Sequence, residues 1–234
     1  NHKHVEMKVG EKFNQLPIKE FSFDMFEDCP TIVLIAKRRS GKSWIVRALL
    51  NHFKSIPVGI IIAPTDRKTN FYGSFFPETY IYYEFDSEIL IKLLERQDRM
   101  IIKAKEKRLK GKKVDTRAFL VMDDCLAEKG KWAKDDTIRE LLMNGRHSKI
   151  MYILTMQYSL GITPELRSNF DYIFLLAEDF QTNRKRLYDH YAGMFPTFDS
   201  FRQIFEQLTD DFGAMVIANT GAKKNFIEKI LLCL

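Results

Sequence analysis

Residues 31–43 read TIVLIAKRRSGKS, and this stretch decides the fold that we predict. The run from Thr31 to Ala36 is apolar and largely β-branched, which is typical of a strand buried on both faces. The next residues match the pattern GxxxxGK[ST], except that Ala36 replaces the first Gly. An amphipathic segment follows from Trp44 to Phe53. The predicted order is therefore strand, loop and helix, which is the structural context in which this pattern binds phosphate.

The residue types of the loop predict its chemistry. Backbone N–H groups and the N-terminus of the helix surround phosphate, Lys42 reaches the β and γ oxygens, and the Ser43 hydroxyl ligates Mg²⁺. Ala is small enough to replace the first Gly unless that position requires a positive φ. We therefore predict ATP and Mg²⁺ as cofactors. The predicted nucleotide contacts are Ala36, Lys37, Arg38, Arg39, Ser40, Gly41, Lys42, Ser43 and Trp44.

A second buried strand, predicted from Ala118 to Met122, ends in two carboxylates. In a parallel sheet, Asp123 and Asp124 would face the same crevice as the phosphate loop. We assign Asp123 to the Mg²⁺ shell and Asp124 to orienting and deprotonating the attacking water. A pair of Asp residues after a strand is by itself more often a helix cap or a turn. The 81 residues between Lys42 and Asp123 (123 minus 42) leave room for an extra strand between these two strands, as the additional-strand class of P-loop nucleoside triphosphatases requires.

The rest of the chain alternates apolar runs with amphipathic segments, which predicts an α/β fold with a mostly parallel central sheet covered by helices. With 234 residues, we expect a single ATPase domain over residues 21–234 and an N-terminal extension over residues 1–20. The further predicted strands are Val58–Ala63, Tyr80–Phe85, Ile150–Thr155, Tyr172–Leu176 and Gly213–Ala218. The further predicted helices are Ser87–Lys105, Asp135–Met143, Gln181–Tyr191 and Ser200–Leu208.

Three more polar residues are candidates for catalysis. Gln157 follows a predicted strand, so it would lie at the same edge of the sheet as the aspartates, where it senses the γ-phosphate or positions water. Either Arg146 or Arg167 would serve as an arginine finger for a neighbouring subunit's nucleotide. The alternative for Gln157 is a polar residue that caps the strand, and the alternative for each arginine is an ordinary surface residue. We assign no catalytic role to His147.

Composition limits the class of protein. The net charge of +6 and the pI of 9.1 weakly favour a polyanionic partner. No run is apolar and long enough for a membrane helix, and the first ten residues do not resemble the apolar core of a signal peptide. Three dispersed cysteines indicate neither disulfides nor zinc, which fits a reducing compartment. A basic cluster is either a solvated helix end or a contact surface for a phosphate backbone; it comprises Lys103, Lys105, Lys107, Arg108, Lys110, Lys112 and Lys113.

The order of these motifs resembles the FtsK/HerA superfamily of DNA-pumping, RecA-like ATPases, and within it the poxvirus-type packaging ATPases of nucleocytoplasmic large DNA viruses. The resemblance covers roughly residues 20 to 220 and includes the segment Glu165-Leu-Arg-Ser-Asn-Phe-Asp-Tyr-Ile-Phe174. It implies a homo-oligomeric ring, hexameric or pentameric, that hydrolyses ATP at subunit boundaries. It also implies double-stranded DNA and capsid or portal-region proteins as partners, in the virion or the viral factory of the host cytoplasm.

Two features of the sequence depart from this superfamily. Ala36 stands in place of Gly, and Asp124 stands where many members have Glu, which would place the base about a methylene farther from the water. By motif position, Arg146 matches the arginine before the sensor strand and Gln157 matches the sensor glutamine. Arg167 is then a second candidate for the finger.

Two other functional classes stay open on the sequence alone. A small-molecule kinase or metabolic NTPase would require an acceptor pocket and an arginine lid, and an assembly scaffold would use ATP as a slow switch.

An aromatic group after the second strand is also open to two interpretations. Phe71, Tyr72, Phe75 and Phe76 either pack in the core under a lid or form a loop that contacts DNA or another subunit.

Overall fold

The computed structural model describes residues 1–125, 135–159, 162–221 and 225–234, which fold around a ten-stranded sheet. Its strands are β1 (His2–Val9), β2 (Lys12–Glu20), β3 (Thr31–Ile35), β4 (Val58–Ile62), β5 (Ile81–Tyr82), β6 (Ala118–Asp123), β7 (Ile150–Met156), β8 (Tyr172–Leu175), β9 (Ala214–Ala218) and β10 (Ile230–Cys233). The α-helices are α1 (Lys42–His52), α2 (Asp66–Thr69), α3 (Ser87–Leu109), α4 (Asp136–Asn144), α5 (Pro164–Arg167), α6 (Gln181–Tyr191), α7 (Phe198–Leu208) and α8 (Phe226–Lys229). The strand order is β1-β2-β10-β9-β8-β3-β7-β6-β4-β5.

Six neighbouring strands, β8-β3-β7-β6-β4-β5, run parallel. Their C-terminal ends meet at one side of the sheet, which we call the carboxyl edge, and their N-terminal ends meet at the opposite amino edge. Strand β9 is antiparallel to β8, and β10 is antiparallel to β9. The prediction of a mostly parallel sheet with an additional strand is confirmed.

The inserted strand comes from a different part of the chain than the sequence suggested. Strand β7 lies between β3 and β6, where Tyr152 pairs with Thr31 and Thr155 pairs with Asp123. The 81-residue tract between the two motifs instead supplies β4 and β5, which lie on the far side of β6. Chain length showed that there was room for another strand, but it could not show on which side of β6 that strand pairs.

The two faces of the sheet bury separate apolar layers because successive side chains of a strand alternate between faces. Val33 and Ile35 of β3 belong to the layer covered by α3, α4, α6 and α7. Ile32 and Leu34 belong to the layer that includes Val46 and Leu49 of α1. Both faces of β3 are therefore covered, which explains its unbroken apolar sequence.

The edges of the sheet differ most from the sequence prediction. Residues 1–20 form the β1–β2 hairpin, and β2 joins the sheet by parallel pairing with β10 at the other end of the chain. Neither the hairpin strands nor β10 was predicted from the sequence. The predicted strand Tyr80–Phe85 contains only the two residues Ile81 and Tyr82 in β5, at the opposite edge.

Helix α3 is longer than predicted and ends at Leu109, so much of the basic cluster lies on its last turns. The seven basic residues from Lys103 to Lys113 therefore lie on the last turns of α3 and just after it. The chain then leads to the amino edge, where β6 begins. In the parts of the chain that the structure describes, we find no helix with the length and apolar character needed to cross a bilayer.

One glycine is required by close packing in the sheet. Gly59 of β4 pairs with Phe119 of β6, and the Phe119 ring lies directly over it. A Cβ on Gly59 would be 2.0 Å from the ring, which is too close for any side-chain contact. The Phe119 ring in turn packs against Phe76, with 5.5 Å between ring centroids.

We expect Gly59→Ala to lower the free energy of unfolding by about 1–3 kcal/mol, because the added methyl group forces the Phe119 ring out of its position. Urea denaturation would measure the change. Gly193→Ala is a matched control, since a Cβ at Gly193 meets no atom within 4 Å. Equal stability of the two variants would contradict this packing argument.

Candidate functional site

The phosphate loop connects β3 to α1 at the carboxyl edge. The Ala36 N–H donates to the Met156 carbonyl of β7 at 3.0 Å, and the Ser40 hydroxyl donates to the Lys37 carbonyl at 2.7 Å. The left-handed residues of the loop are Arg39 (φ 62°) and Gly41 (φ 96°). Ala36 has no positive φ, so its replacement of Gly places no strain on the loop.

Lys42 and the two aspartates meet at this edge. The ammonium Nζ of Lys42 lies 3.0 Å from Asp123 Oδ1 and 2.5 Å from Asp124 Oδ2. All three side chains are largely buried, at 17, 11 and 15 % exposure respectively. Burial alone would lower the pKa of Lys42, but the two carboxylates outweigh it and raise the pKa above its ordinary value. The ammonium therefore stays charged and offsets part of the negative charge of the two aspartates.

Thr155 completes the carboxylate site, although no motif in the sequence singles it out. Its hydroxyl donates to Asp123 Oδ1 and accepts the Asp124 N–H at 3.2 Å. The second bond supports Asp124 in a left-handed conformation (φ 51°). The available signal was a single Thr within the otherwise apolar run of β7, but its value depends on the pairing of Thr155 with Asp123.

Two buried polar atoms near Lys42 have no hydrogen-bond partner among the described residues: Asp124 Oδ1 and the Tyr72 hydroxyl. Tyr72 is 1 % exposed and belongs to the short helical turn after α2. Burial first, and then the Asp123 and Asp124 carboxylates, raise the pKa of Tyr72 well above its usual value. The aromatic group largely packs in the core: Tyr72 is buried, Phe71 and Phe76 are half-buried against the same layer, and Phe75 is exposed.

The donors at this site suit Mg²⁺ bound together with a nucleotide. Asp123 supplies a carboxylate, and Ser43 places a hydroxyl in the first turn of α1 next to Lys42. Hard oxygen ligands of this kind, completed by phosphate and water, are what Mg²⁺ prefers. The unpartnered Asp124 Oδ1 is a further buried acceptor at this place.

The remaining predicted residues occupy different edges of the sheet. Gln157 is half-buried directly after Met156, beside the start of the phosphate loop. Arg146 lies near the amino edge, where its Nη2 is 2.5 Å from Asp171 and 3.5 Å from Glu27. Arg167 ends α5, with its guanidinium 5.8 Å from the centroid of the Tyr191 ring. The structure thus brings Gln157 to the Lys42 site and does not bring Arg146 there.

A strained aromatic residue borders the phosphate loop. Asp211 (φ 50°, ψ 48°) and Phe212 (φ 61°) are consecutive left-handed residues just before β9. The Phe212 side chain is 68 % exposed, and its Cδ1 would lie 3.7 Å from a Cβ placed on Gly41. Two such conformations in a row are uncommon outside glycine and often mark functional sites. No pattern in the sequence points to this residue.

The fold and the site together define a P-loop NTPase fold of the RecA-like, additional-strand class. Solved structures share it: the genome packaging NTPase B204 of Sulfolobus turreted icosahedral virus 2, in complex with AMPPCP, matches with a TM-score of 0.58 at 14% identity, over 88% of this chain and 97% of B204. The pCW3 conjugation coupling protein TcpA, with ATPγS, matches with a TM-score of 0.57 at 15% identity, over 98% of this chain and 65% of TcpA.

No protein-family model matches the chain. In sequence it is 47% identical over 218 residues to uncharacterized protein L437 of Acanthamoeba polyphaga mimivirus, covering 93% of this chain and 77% of L437. It is 36% identical over 223 residues to uncharacterized protein 088R of Invertebrate iridescent virus 3 (90% and 82% covered), and 30% identical over 227 residues to uncharacterized protein 015R of Frog virus 3 (92% and 68%). The chain belongs to this family of proteins from nucleocytoplasmic large DNA viruses. The resemblance noted from the sequence is confirmed in viral family and fold.

We expect Thr155→Val to lower the free energy of unfolding of the nucleotide-free protein by about 1–3 kcal/mol, because it leaves the Asp124 N–H and the Asp123 carboxylate without the hydroxyl. Thr155→Ser keeps that hydroxyl and should be less destabilised. Urea denaturation of both variants measures the difference. A Val variant as stable as the Ser variant would show that these hydrogen bonds do not hold the site.

Proposed function

We propose that this protein is a Mg²⁺-dependent ATPase that drives double-stranded DNA into a viral capsid. The observation that supports it best is the contact of one lysine with two carboxylates: Lys42 Nζ lies 3.0 Å from Asp123 and 2.5 Å from Asp124. A phosphate-loop lysine, a metal-binding carboxylate and a second carboxylate at one edge of a sheet are the groups that phosphoryl transfer to water uses.

Binding of ATP changes the partners of Lys42 in this proposal. The γ-phosphate carries more negative charge than a carboxylate, so Lys42 turns from the aspartates to the phosphate oxygens. Ser43 and Asp123 would hold Mg²⁺, which would supply positive charge next to the phosphate oxygens. Asp124, released from Lys42, accepts a proton from the attacking water as its oxygen bonds to the γ-phosphorus and the bond to the bridging oxygen breaks. The base is therefore available only after nucleotide has bound.

Gln157 and the two arginines complete this scheme. Gln157 lies beside the start of the phosphate loop, a position suited to contacting the γ-phosphate or the water. Arg146 lies near the amino edge, paired with Asp171, so it would act only on the nucleotide of a neighbouring subunit after exchanging that partner. Arg167 has buried Nε and Nη1 atoms without a partner in the described chain, which makes it the second candidate for that role.

The proposal of DNA as substrate has separate support. The family is viral, and a protein with the same fold, B204, is a genome packaging NTPase. The basic cluster at the end of α3 is exposed or half-exposed and provides positive charge for a phosphate backbone. We further propose a hexameric or pentameric ring that docks on capsid or portal-region proteins, in the virion or the host cytoplasm.

We expect long double-stranded DNA to stimulate ATP hydrolysis several-fold, and Lys42→Ala or Asp124→Asn to lower the stimulated rate by about a hundredfold or more, since each removes a group that acts on the transferred phosphate. Lys92→Ala, an exposed lysine on α3, is the matched control. Phosphate release from purified protein measures the rates.

The other outcomes favour different functions. Rapid hydrolysis that is indifferent to DNA would contradict the translocase and support a metabolic NTPase, and a requirement for a phosphate acceptor would indicate a kinase. Tight ATP binding without turnover, accompanied by a change in oligomeric state, would support an assembly scaffold.

Phe212 is a candidate contact for the nucleotide base within this proposal. Its exposed ring lies beside Gly41 and close to the first turn of α1, which carries the exposed Trp44. Aromatic faces stack on any base and add affinity without hydrogen bonds. The strained backbone at Asp211 and Phe212 holds the ring in this place.

We expect Phe212→Ala to weaken ATP binding roughly tenfold, since loss of one base-stacking contact removes about 1–3 kcal/mol. Binding of inorganic tripolyphosphate, which has no base, should not change. Phe13→Ala, another exposed aromatic residue, is the control. Isothermal titration measures both ligands. An equal loss for ATP and tripolyphosphate would mean that Phe212 supports the loop and does not contact the base.

A further inference from the structure

The Tyr72 hydroxyl is an unexplained buried group beside the candidate active site. The residue is 1 % exposed, and its hydroxyl has no hydrogen-bond partner among the described residues. Leaving a buried hydroxyl unpaired is unfavourable, and native proteins seldom do so without a functional reason. Asp124 Oδ1, an acceptor, is also buried and without a partner in the same part of the molecule.

A fixed turn presents Tyr72 to the carboxylates. The buried Asp66 side chain, 3 % exposed, accepts the Tyr72 N–H at 2.9 Å and the Gly73 N–H at 3.2 Å. A Cβ at Gly73 would lie 2.1 Å from Asn70 Oδ1, so a larger residue there would have to displace that side chain. The turn follows β4, whose neighbour β6 carries Asp123, so it lies at the carboxyl edge. Hydrogen bonds to the backbone of the turn therefore hold Tyr72 in position, while its hydroxyl takes no part in them.

The donors available to Asp123 change when nucleotide binds. In this structure Asp123 accepts hydrogen bonds from Lys42 and Thr155, and Asp124 accepts one from Lys42. When Lys42 turns to the phosphates, both carboxylates lose its ammonium. A buried carboxylate needs hydrogen-bond donors to remain charged. The Tyr72 hydroxyl is buried at the same carboxyl edge without a partner, and a phenol is protonated and able to donate at neutral pH.

We propose that Tyr72 is a positioning residue, whose hydroxyl donates a hydrogen bond to the Asp123 carboxylate when Lys42 moves to the phosphates. The proposal rests on the ATPase function proposed above. A neutral donor suits this task, because it orients the carboxylate without competing with Mg²⁺ as a second cation would. The free protein leaves the hydroxyl unpaired, and the nucleotide-bound protein uses it.

The test compares Tyr72→Phe with Tyr152→Phe. Both tyrosines are buried with unpartnered hydroxyls, but Tyr152 lies on β7 near the amino edge, paired with Thr31. Both substitutions remove only an unpaired hydroxyl, so neither should lower the Tm of the nucleotide-free protein. We expect Tyr72→Phe to lower kcat about tenfold or more and to raise the Mg²⁺ concentration for half-maximal activity, since a hydrogen bond to a charged group is lost. Tyr152→Phe should match the wild type in both.

Two results would overturn the proposal. In the first, Tyr72→Phe has the kcat and Mg²⁺ requirement of Tyr152→Phe. In the second, it lowers the Tm of the nucleotide-free protein more than Tyr152→Phe does, which would mean that the hydroxyl already has a structural partner.

If the wild type shows no turnover, the ATPase proposal fails, and Tyr72 is judged by Mg²⁺-dependent binding of a fluorescent ATP analogue. A higher Mg²⁺ concentration for half-maximal binding in Tyr72→Phe, but not in Tyr152→Phe, would still support it. Equal dependence in the two variants, or no nucleotide binding by the wild type, would overturn it.

Discussion

The ion pair between Lys42 and the two aspartates is the interaction on which the rest of the site depends. Two carboxylates that share a largely buried position repel each other, and the Lys42 ammonium, 3.0 and 2.5 Å from them, offsets part of that repulsion. The contact brings together β6 and the end of the phosphate loop, which are far apart in the chain. Thr155 of β7 then orients Asp123 and supports the backbone of Asp124.

The position of β7 sets the width of this site. Strands in a sheet lie about 4.8 Å apart, so one inserted strand separates β3 from β6 by roughly 10 Å. Because β7 is inserted, Thr155 near its C-terminal end lies between β3 and β6, and Gln157 follows the strand beside the start of the phosphate loop. The topology thus places a polar side chain, that of Thr155, against the aspartates.

The sequence predicted those features that depend on local pattern. The apolar run before the phosphate loop, the run before Asp123 and the helix after Gly41 were recognisable because each is complete within a dozen residues. The β1–β2 hairpin was not, since its strands are mostly exposed and β2 pairs with β10 from the opposite end of the chain. Thr155 and Tyr72 were missed for a related reason. A single polar residue gains its role from register with a distant strand, and no local pattern encodes that register.

The backbone gives independent support for the location of the site. Among the described residues, seven non-glycine residues have a positive φ, and five of them lie in segments at the carboxyl edge; these are Arg39, Asn70, Asp124, Asp211 and Phe212. Each such conformation is unfavourable, so it persists only where surrounding contacts fix it. The contacts that fix them include the Asp66 carbonyl, which accepts the Asn70 N–H, and the Thr155 hydroxyl, which accepts the Asp124 N–H. Local hydrogen bonds thus maintain a strained backbone at the edge where Lys42 meets the aspartates, and strain of this kind is characteristic of sites that must bind and release a ligand.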